Sequence, residues 1–205
     1  MKLESVVYAV SGVLFGLIVG WIIGSQQAQL GPRPAVVQQA DAAQQAAATP
    51  PPDSPASAPA VLDETKVQAL ETVANKDPKN ALARAQLGDL YYDAGRYPDA
   101  IKWYEQSYAL NPKDVNVSTD LGVSYYYNKE TDRAVDQLQK SLAIDPSHAK
   151  TLLNLGVVKA LGKRDLKGAT EAWQKLVDVA PQTPEGQQAR QMLDSVASAH
   201  GNIGQ

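Results

Sequence analysis

Apolar and polar residues follow the period of amphipathic helices over most of this chain, with apolar residues three and four positions apart on one face. Short polar or glycine-containing segments interrupt the pattern at 94–96, 128–130 and 162–165. A helical segment lies on either side of each interruption. The pattern therefore predicts an all-α fold in which helices pair into hairpins across these turns.

The predicted hairpins repeat with a period of 34 residues. A Leu-Gly pair, an alanine and a closing proline keep this period, except that the third unit has one extra residue, which we place near Lys163–Lys167. A period of this size is typical of stacked supersecondary units that share a core. The repeated residues are Leu87-Gly88, Leu121-Gly122 and Leu155-Gly156, then Ala100, Ala134 and Ala169, and finally Pro112, Pro146 and Pro181.

The small residues and the helix ends support this interpretation. Glycine inside a helix costs about 0.5–1 kcal/mol relative to alanine, so a glycine at one register of every unit predicts close packing of the two helices. Asn80 and Asp114 are predicted N-caps of first helices, and Thr131 is a predicted N-cap of a second helix. Pro98 suits the first turn of its helix, where a missing N–H is harmless.

These residues resemble the tetratricopeptide repeat (TPR) family, whose pattern is W-x2-L-G-x2-Y, then A-x3-F, then P. Three consecutive copies in register, at about 81–114, 115–148 and 149–183, make the resemblance specific. It implies a solenoid of helical hairpins. The chain departs from the pattern at the opening tryptophan, replaced by Arg84, Ser118 and Leu152, and at one tyrosine, replaced by Lys159.

Two further helices are predicted at the ends of the array, which as a whole spans 63–200. Asp63–Lys76 is interpreted as the second helix of a leading half-repeat, and residues 184–199, after Thr183-Pro184, as a capping helix. Terminal units of a solenoid need such helices because an exposed stacking face would aggregate. The predicted inward residues are Val67, Leu70, Val73 and Ala74 in the leading helix and Ala189, Met192, Leu193 and Val196 in the capping helix.

In this family the first helices of successive repeats line a concave groove that holds a peptide or a partner helix. A tyrosine offers a large apolar area with a polar tip, so we expect Tyr92, Tyr126 and Tyr127 to dominate binding, with Tyr92 and Tyr126 exposed. Tyr127 could instead serve only helix packing. By register the groove residues are Leu82, Ala85, Asp89, Tyr92, Asp93, Asn116, Thr119, Asp120, Val123, Tyr126, Tyr127, Lys150, Leu153, Asn154, Val157 and Leu161.

One activity of the family, the clamp that holds the acidic C-termini of chaperones, is not expected here. In the family, that clamp is formed by Lys, Arg and Asn side chains at groove positions. At the corresponding positions of this chain only Lys150 and Asn154 are compatible with such a clamp. Asp89, Asp93 and Asp120 would repel an acidic tail. A mildly basic or apolar segment is the predicted partner.

The N-terminus predicts a membrane anchor at 1–24. Ser5–Gly24 is a run of 20 residues without a charge, which at about 1.5 Å per residue spans the hydrocarbon core of a bilayer. A cleaved signal peptide is the alternative, although the run is longer than a usual signal core and no good cleavage site follows. Lys2 and the α-amino group place the N-terminus in the cytoplasm and the rest outside, in the periplasm if the membrane is a bacterial inner membrane.

Two features of this region bear on assembly. Gly12, Gly16, Gly20 and Gly24 form a small-residue stripe that can pair two membrane helices into a homodimer. Glycine is also common in membrane helices generally. Residues 25–62, rich in Ala, Gln and Pro, are predicted to be a disordered linker between the anchor and the repeats.

Composition narrows the chemistry. The formal net charge of −3 argues against a nucleic-acid partner. The chain has no cysteine and two histidines, His148 and His200, so it offers little for a metal site or a catalytic triad. His148 is expected to be solvated or to cap a helix. Phosphate-binding, dinucleotide and zinc-protease motifs are absent from the sequence, and we expect no enzyme, cofactor or small-molecule substrate.

The sequence thus favours a bacterial membrane-anchored TPR adaptor that recruits or chaperones a client protein or peptide. A structural protein that multimerises through the glycine stripe and the ends of the array is the main alternative. A secreted soluble TPR protein, after signal cleavage, is the other.

Overall fold

The computed structural model describes residues 59–201, which form eight α-helices and no strand. The predicted anchor, its glycine stripe and most of the linker lie outside the described residues. Within those residues, no helix is both long and apolar enough to cross a membrane. The helices are α1 (Glu64–Lys76), α2 (Ala81–Asp93), α3 (Tyr97–Leu110), α4 (Val115–Tyr127), α5 (Thr131–Ile144), α6 (Ala149–Val157), α7 (Leu166–Val179) and α8 (Pro184–Gly201).

The helices pair as predicted, α2 with α3, α4 with α5 and α6 with α7, across turns of three residues. The middle residue of every turn is left-handed: Gly95 has φ 69°, Lys129 has φ 68° and Arg164 has φ 56°. In the first two turns the next residue donates its N–H five positions back, Arg96 to the Tyr91 carbonyl and Glu130 to that of Tyr125, both at 2.8 Å. This is the Schellman geometry that closes many helices.

The predicted close approach at the repeated glycines is confirmed. A Cβ on Gly88 would lie 2.5 Å from Tyr104, and one on Gly122 would lie 2.9 Å from Leu138. Gly156 is packed in the same way against Trp173 in the third pair. Tyr104, Leu138 and Trp173 are completely buried. One large side chain of each second helix therefore fills the space that the missing Cβ leaves, and this packing sets the helix spacing.

The prediction for the extra residue of the third repeat is wrong in its position. The turn 163–165 has the same length as the other two turns, and the additional residue lies upstream in the first helix. There the chain forms a π-helical turn, Val158–Gly162, directly after α6. A single π-turn of this kind, with i→i+5 hydrogen bonds, accommodates one more residue within a helix.

The helix caps agree with the sequence in two of three cases. The Asn80 side chain accepts from the Ala83 N–H at 2.9 Å, and that of Asp114 accepts from Val117 at 3.1 Å. Thr131 is not an N-cap. It is the first residue of α5, and the preceding Glu130 uses its carboxylate to hold Arg133 at 2.5 Å and Asn128 at 2.5 Å instead.

Polar side chains stand at two of the repeat positions where the family has tryptophan. Arg84 donates to the carbonyls of Ala74 at 3.2 Å and Asn80 at 2.9 Å, and so closes the C-terminal end of α1 against α2. Ser118 accepts from both Gln137, at 2.8 Å, and Ser141, at 2.7 Å, in the fully buried space between α4 and α5. Hydrogen bonding satisfies these groups where an indole would otherwise supply apolar area.

The terminal helices cover both ends of the array. In α1, Val67 and Ala74 are buried and Leu70 is partly buried, but Val73 is 43% exposed, contrary to the prediction. In α8, Ala189, Met192 and Val196 are buried against α6 and α7, and Leu193 is partly buried. The Thr183 side chain caps α8 by accepting from the Gly186 N–H at 3.0 Å.

Candidate functional site

The first helices of the three pairs lie side by side. Between α2 and α4, the ring centroids of Tyr92 and Tyr127 are 5.9 Å apart. Between α4 and α6, Lys150 Nζ lies 2.7 Å from Asp120 Oδ1, and the hydroxyls of Thr119 and Thr151 are 2.6 Å apart. These contacts make one continuous face from three helices that are far apart in sequence.

We call the solvent-accessible part of this face the first-helix surface and define it by the predicted groove residues that are exposed or half-buried. Leu82 is its most exposed apolar residue, at 67%. Two acidic residues and two tyrosines make up half of the rest. The members of the first-helix surface are Leu82, Ala85, Asp89, Asp93, Asn116, Tyr126, Tyr127, Lys150 and Leu161.

The other predicted groove residues are buried and do not form an accessible surface. Tyr92, which we expected to be exposed, is only 7% exposed. Leu153 and Val157 belong to the core that α8 completes, so the capping helix accounts for their burial. The buried set is Tyr92, Thr119, Asp120, Val123, Leu153, Asn154 and Val157.

Four tyrosines pack together at the end of the first helices, and we call them the tyrosine cluster: Tyr92, Tyr97, Tyr126 and Tyr127. The Tyr97 and Tyr127 rings are stacked, with centroids 4.9 Å apart and planes at 14°. Tyr92 meets both rings edge-on, at 5.6 Å and 5.9 Å, and Tyr126 meets Tyr127 at 5.6 Å. Tyr92 is thus the buried base of the cluster, while the other three rings are partly accessible.

Sequence reasoning missed Tyr97 because it belongs to a second helix. It is the first residue of α3, just beyond the turn, and so it reaches around the end of α2 to the neighbouring α4. The register of the repeats places only first-helix residues in the groove. A tyrosine directly after the turn, with two tyrosines at the end of the next first helix, is the signal that could have predicted this contact.

Acidic groups dominate the electrostatics of the first-helix surface. Asp89 accepts a hydrogen bond from the Tyr104 hydroxyl at 2.7 Å. The pKa of Asp89 is raised to about 6, mainly by burial; that hydrogen bond and Lys150 lower it, and the carboxylates of Asp120 and Asp93 add to the rise. Burial, followed by the charge of Asp120, also raises the pKa of Asp93. Lys150 neutralises Asp120 in a pair whose side chains are 19% and 12% exposed, so above pH 6 the remaining charge is negative.

Beneath the accessible groups of α4 and α6 lies a polar layer. Thr119 also donates to the Val115 carbonyl at 2.7 Å, and His148 Nδ1 lies 2.7 Å from the Thr151 hydroxyl. Asn154 donates to the Lys150 carbonyl at 2.9 Å, whereas its Oδ1 finds no hydrogen-bond partner among the described residues. The contact of His148 agrees with a structural role at the start of α6. Burial lowers the pKa of its imidazole.

The geometry also bears on other chemistries. Lys150, one of the two residues compatible with the carboxylate clamp, is committed to Asp120. Residues 59–201 bring together no group of three or more His, Asp or Glu side chains that could hold a metal ion. The arrangement suits recognition of another chain by charge, tyrosine rings and exposed leucine.

Comparison with known proteins supports the interpretation of the repeats. Residues 88–129 match a family model described as "TPR repeat". No curated protein matches the sequence. The match extends from the second half of α2 into the turn after α4, and it includes all four residues of the tyrosine cluster.

Solved structures share the fold. The crystal structure of MamA has a TM-score of 0.55 at 21% identity, over 67% of this chain and 88% of that chain. The first TPR of Spaghetti (RPAP3) bound to the HSP90 peptide SRMEEVD has a TM-score of 0.52 at 20% identity, over 59% and 96%. A tetratricopeptide repeat protein from Parabacteroides merdae has a TM-score of 0.58 at 19% identity, over 66% and 53%. At these identities the likeness concerns the fold alone.

Proposed function

We propose that this chain, which carries tetratricopeptide repeats, is a non-catalytic adaptor that binds a segment of a partner protein on its first-helix surface. The observation that carries the proposal is the composition of that surface. Accessible carboxylates, partly exposed tyrosine rings and an exposed leucine occur on one face built from three repeats. Tyrosines that combine ring area with a polar tip are typical of protein-binding sites.

The charges favour a partner segment with lysine or arginine among apolar residues. Asp89 attracts cations above pH 6 and Asp93 is a second, exposed carboxylate, whereas the charge of Asp120 is balanced by Lys150. The partly exposed ring of Tyr126 can offer a cation–π contact of roughly 0.5–1 kcal/mol. Leu82 gives an apolar partner residue a place to pack at the far end.

The structure of the first TPR of Spaghetti (RPAP3) has a peptide bound to the same fold. That observation supports peptide binding as a use of this architecture. The peptide in that complex, SRMEEVD, is rich in acids, whereas the surface here would repel it. We therefore propose the fold's general use with a ligand of the opposite charge.

The cellular setting is part of the proposal and rests on the sequence. A retained helix at Ser5–Gly24 in a bacterial inner membrane would hold the repeats in the periplasm on the tether 25–62. Extraction of cell membranes at high pH tests the anchor directly. The full-length protein should remain in the pellet, with an intact mass that includes Met1 or Lys2; recovery of a shorter protein in the soluble fraction would overturn the anchor.

Photo-crosslinking in cells tests the binding surface. A photo-reactive residue at Asn116, which is exposed on α4, should capture one dominant partner, whereas the same residue at Gln139, exposed on the second helix α5, should not. Asp93→Lys reverses an exposed charge without disturbing the core and should reduce capture from Asn116 several-fold. Equal capture from both positions, or capture of this protein alone, would reject the adaptor and, in the second case, establish self-assembly.

A further inference from the structure

We propose that the tyrosine cluster is a binding site for an extended proline-rich peptide, and that residues 49–58 of the same chain occupy it. Tyr126 and Tyr127 also belong to the first-helix surface, so the segment competes with the partner for them. That regulatory consequence rests on the proposed function. The binding of the segment to the cluster does not.

The path of the chain into the array brings this segment to the cluster. The Ala60 N–H donates to the Asp93 carbonyl at 2.9 Å, and the Pro59 ring lies 3.5 Å from where a Cβ on Gly95 would be. Gly95 is the middle residue of the turn that joins Tyr92 to Tyr97. Pro59 therefore lies beside the turn that joins two members of the cluster.

The composition of the segment suits such a site. Between Thr49 and Ala58 the chain has Pro50, Pro51, Pro52 and Pro55. Consecutive prolines favour the polyproline II helix, which is extended before binding and so loses little entropy when it docks. Aromatic-lined grooves recognise this conformation because proline rings pack flat on aromatic faces.

The cluster holds three partly exposed tyrosine rings, Tyr97, Tyr126 and Tyr127, in a fixed arrangement. Tyr97 and Tyr127 cover one face of each other, so a proline ring would pack on the sides that remain exposed. Tyr97 and Tyr127 stack on each other over the buried ring of Tyr92, and Tyr126 stands edge-on beside them. Gly162 lies close to the ring of Tyr126, since a Cβ on this glycine would come within 3.1 Å of the ring. Tyrosines held this way lose little side-chain freedom on binding.

Reach and concentration are both sufficient. Ring contacts of 5.9 Å and 5.6 Å connect Tyr92 to Tyr126 through Tyr127, whereas ten residues in polyproline II span about 30 Å. A segment tethered at Pro59 has an effective concentration on the order of millimolar. Even a millimolar affinity then gives roughly half occupancy.

Tyrosine nitration of the full-length protein by tetranitromethane, read by mass spectrometry, tests the proposal. The reagent also attacks thiols, but this chain has no cysteine. In the variant P50A/P51A/P52A/P55A, nitration of Tyr97 and Tyr126 should rise about twofold or more, as expected when a half-occupied site is vacated. Tyr108, half-buried on α3 outside the cluster, is the internal reference and should be unchanged.

The variant P32A/P34A is the matched control, because it removes prolines from the same linker far from Pro59. Equal nitration in the wild type and both variants overturns the proposal, and so does an equal rise in both variants. Protection that disappears on dilution but not on proline substitution would assign the cluster to a second copy of the chain. If nitration rises in the first variant but crosslinking captures no partner, this inference stands and the proposed function fails. If crosslinking captures a partner but nitration is unchanged, the proposed function stands and this inference fails.

Discussion

A Cβ atom on Gly156 would lie 2.1 Å from Nε1 of Trp173, the closest of the three glycine contacts between paired helices. Trp173 cannot move away easily, because it is completely buried and its Nε1 donates to the Leu153 carbonyl at 3.2 Å. We expect Gly156→Ala to lower the free energy of unfolding by about 1–3 kcal/mol, as overpacking of a core does. Urea unfolding of the purified protein, followed by circular dichroism, measures the difference.

Gly122→Ala is the matched control for that prediction. Its Cβ would lie 2.9 Å from Cγ of Leu138, which is also completely buried but is smaller than the indole. A helix gains about 0.5–1 kcal/mol when glycine is replaced by alanine, which offsets a small adjustment. Gly122→Ala should therefore lower the free energy of unfolding by clearly less than Gly156→Ala, and an equally large effect would show that the rigid indole is not the cause.

The left-handed turn residues give a prediction of the opposite sign. Lys129 has φ 68° where Gly95 performs the same role in the first repeat. A residue with a side chain pays about 1–2 kcal/mol of strain in this conformation, which glycine avoids. Glycine recovers only part of this in stability, because its greater freedom also stabilises the unfolded chain. Lys129→Gly should raise the free energy of unfolding by about 0.5–1 kcal/mol. Lys140→Gly, within α5, is the control and should destabilise by about 1 kcal/mol; two equal losses would contradict the turn argument.

The repeat period was sufficient to predict the hairpins, their turns and the glycine contacts, because all of these depend on residues within one unit. Gly88 and Tyr104, for example, lie in the same hairpin and at a fixed spacing. The extra residue of the third unit could be counted but not located. Both a longer turn and a π-turn at Val158–Gly162 change the spacing from Gly156 to Trp173 by one residue.

Accessibility of the candidate site was harder to predict, because it depends on contacts between units. Tyr92 is covered by Tyr97 from the next helix and Tyr127 from the next repeat. Leu153 and Val157 have groove register but pack in the core shared with Met192 of α8. A register rule derived for an internal repeat does not include the helix that caps the last one.

Lys150 and Asp120 provide a test of the electrostatics beneath the surface. Lys150→Met would leave the Asp120 carboxylate close to Asp89 without its cation, at a cost of about 2–4 kcal/mol in the free energy of unfolding for a largely buried pair. The double variant D120N/K150M should lose no more than about 1 kcal/mol, because no uncompensated charge remains. Unfolding curves of both variants at pH 8 test whether the charge of Lys150 is what matters. If Lys150 serves only packing, the two variants should lose equal stability.

The raised pKa of Asp89 makes stability depend on pH. Because the pKa rises from 3.8 in an ordinary aspartate to about 6, mainly through burial, the folded protein binds this proton more tightly than the unfolded chain does. The contribution of Asp89 to the free energy of unfolding therefore falls as pH rises from about 4 to 6, and it stays low above pH 6. Asp89→Asn removes the charge and keeps an acceptor for the Tyr104 hydroxyl, which donates at 2.7 Å. The variant should exceed the wild type in stability by roughly 1–3 kcal/mol at pH 8, with the difference vanishing near pH 4. Urea unfolding of both proteins at pH 4, 6 and 8 measures it, and a difference independent of pH would show that ionisation of Asp89 is not its cause.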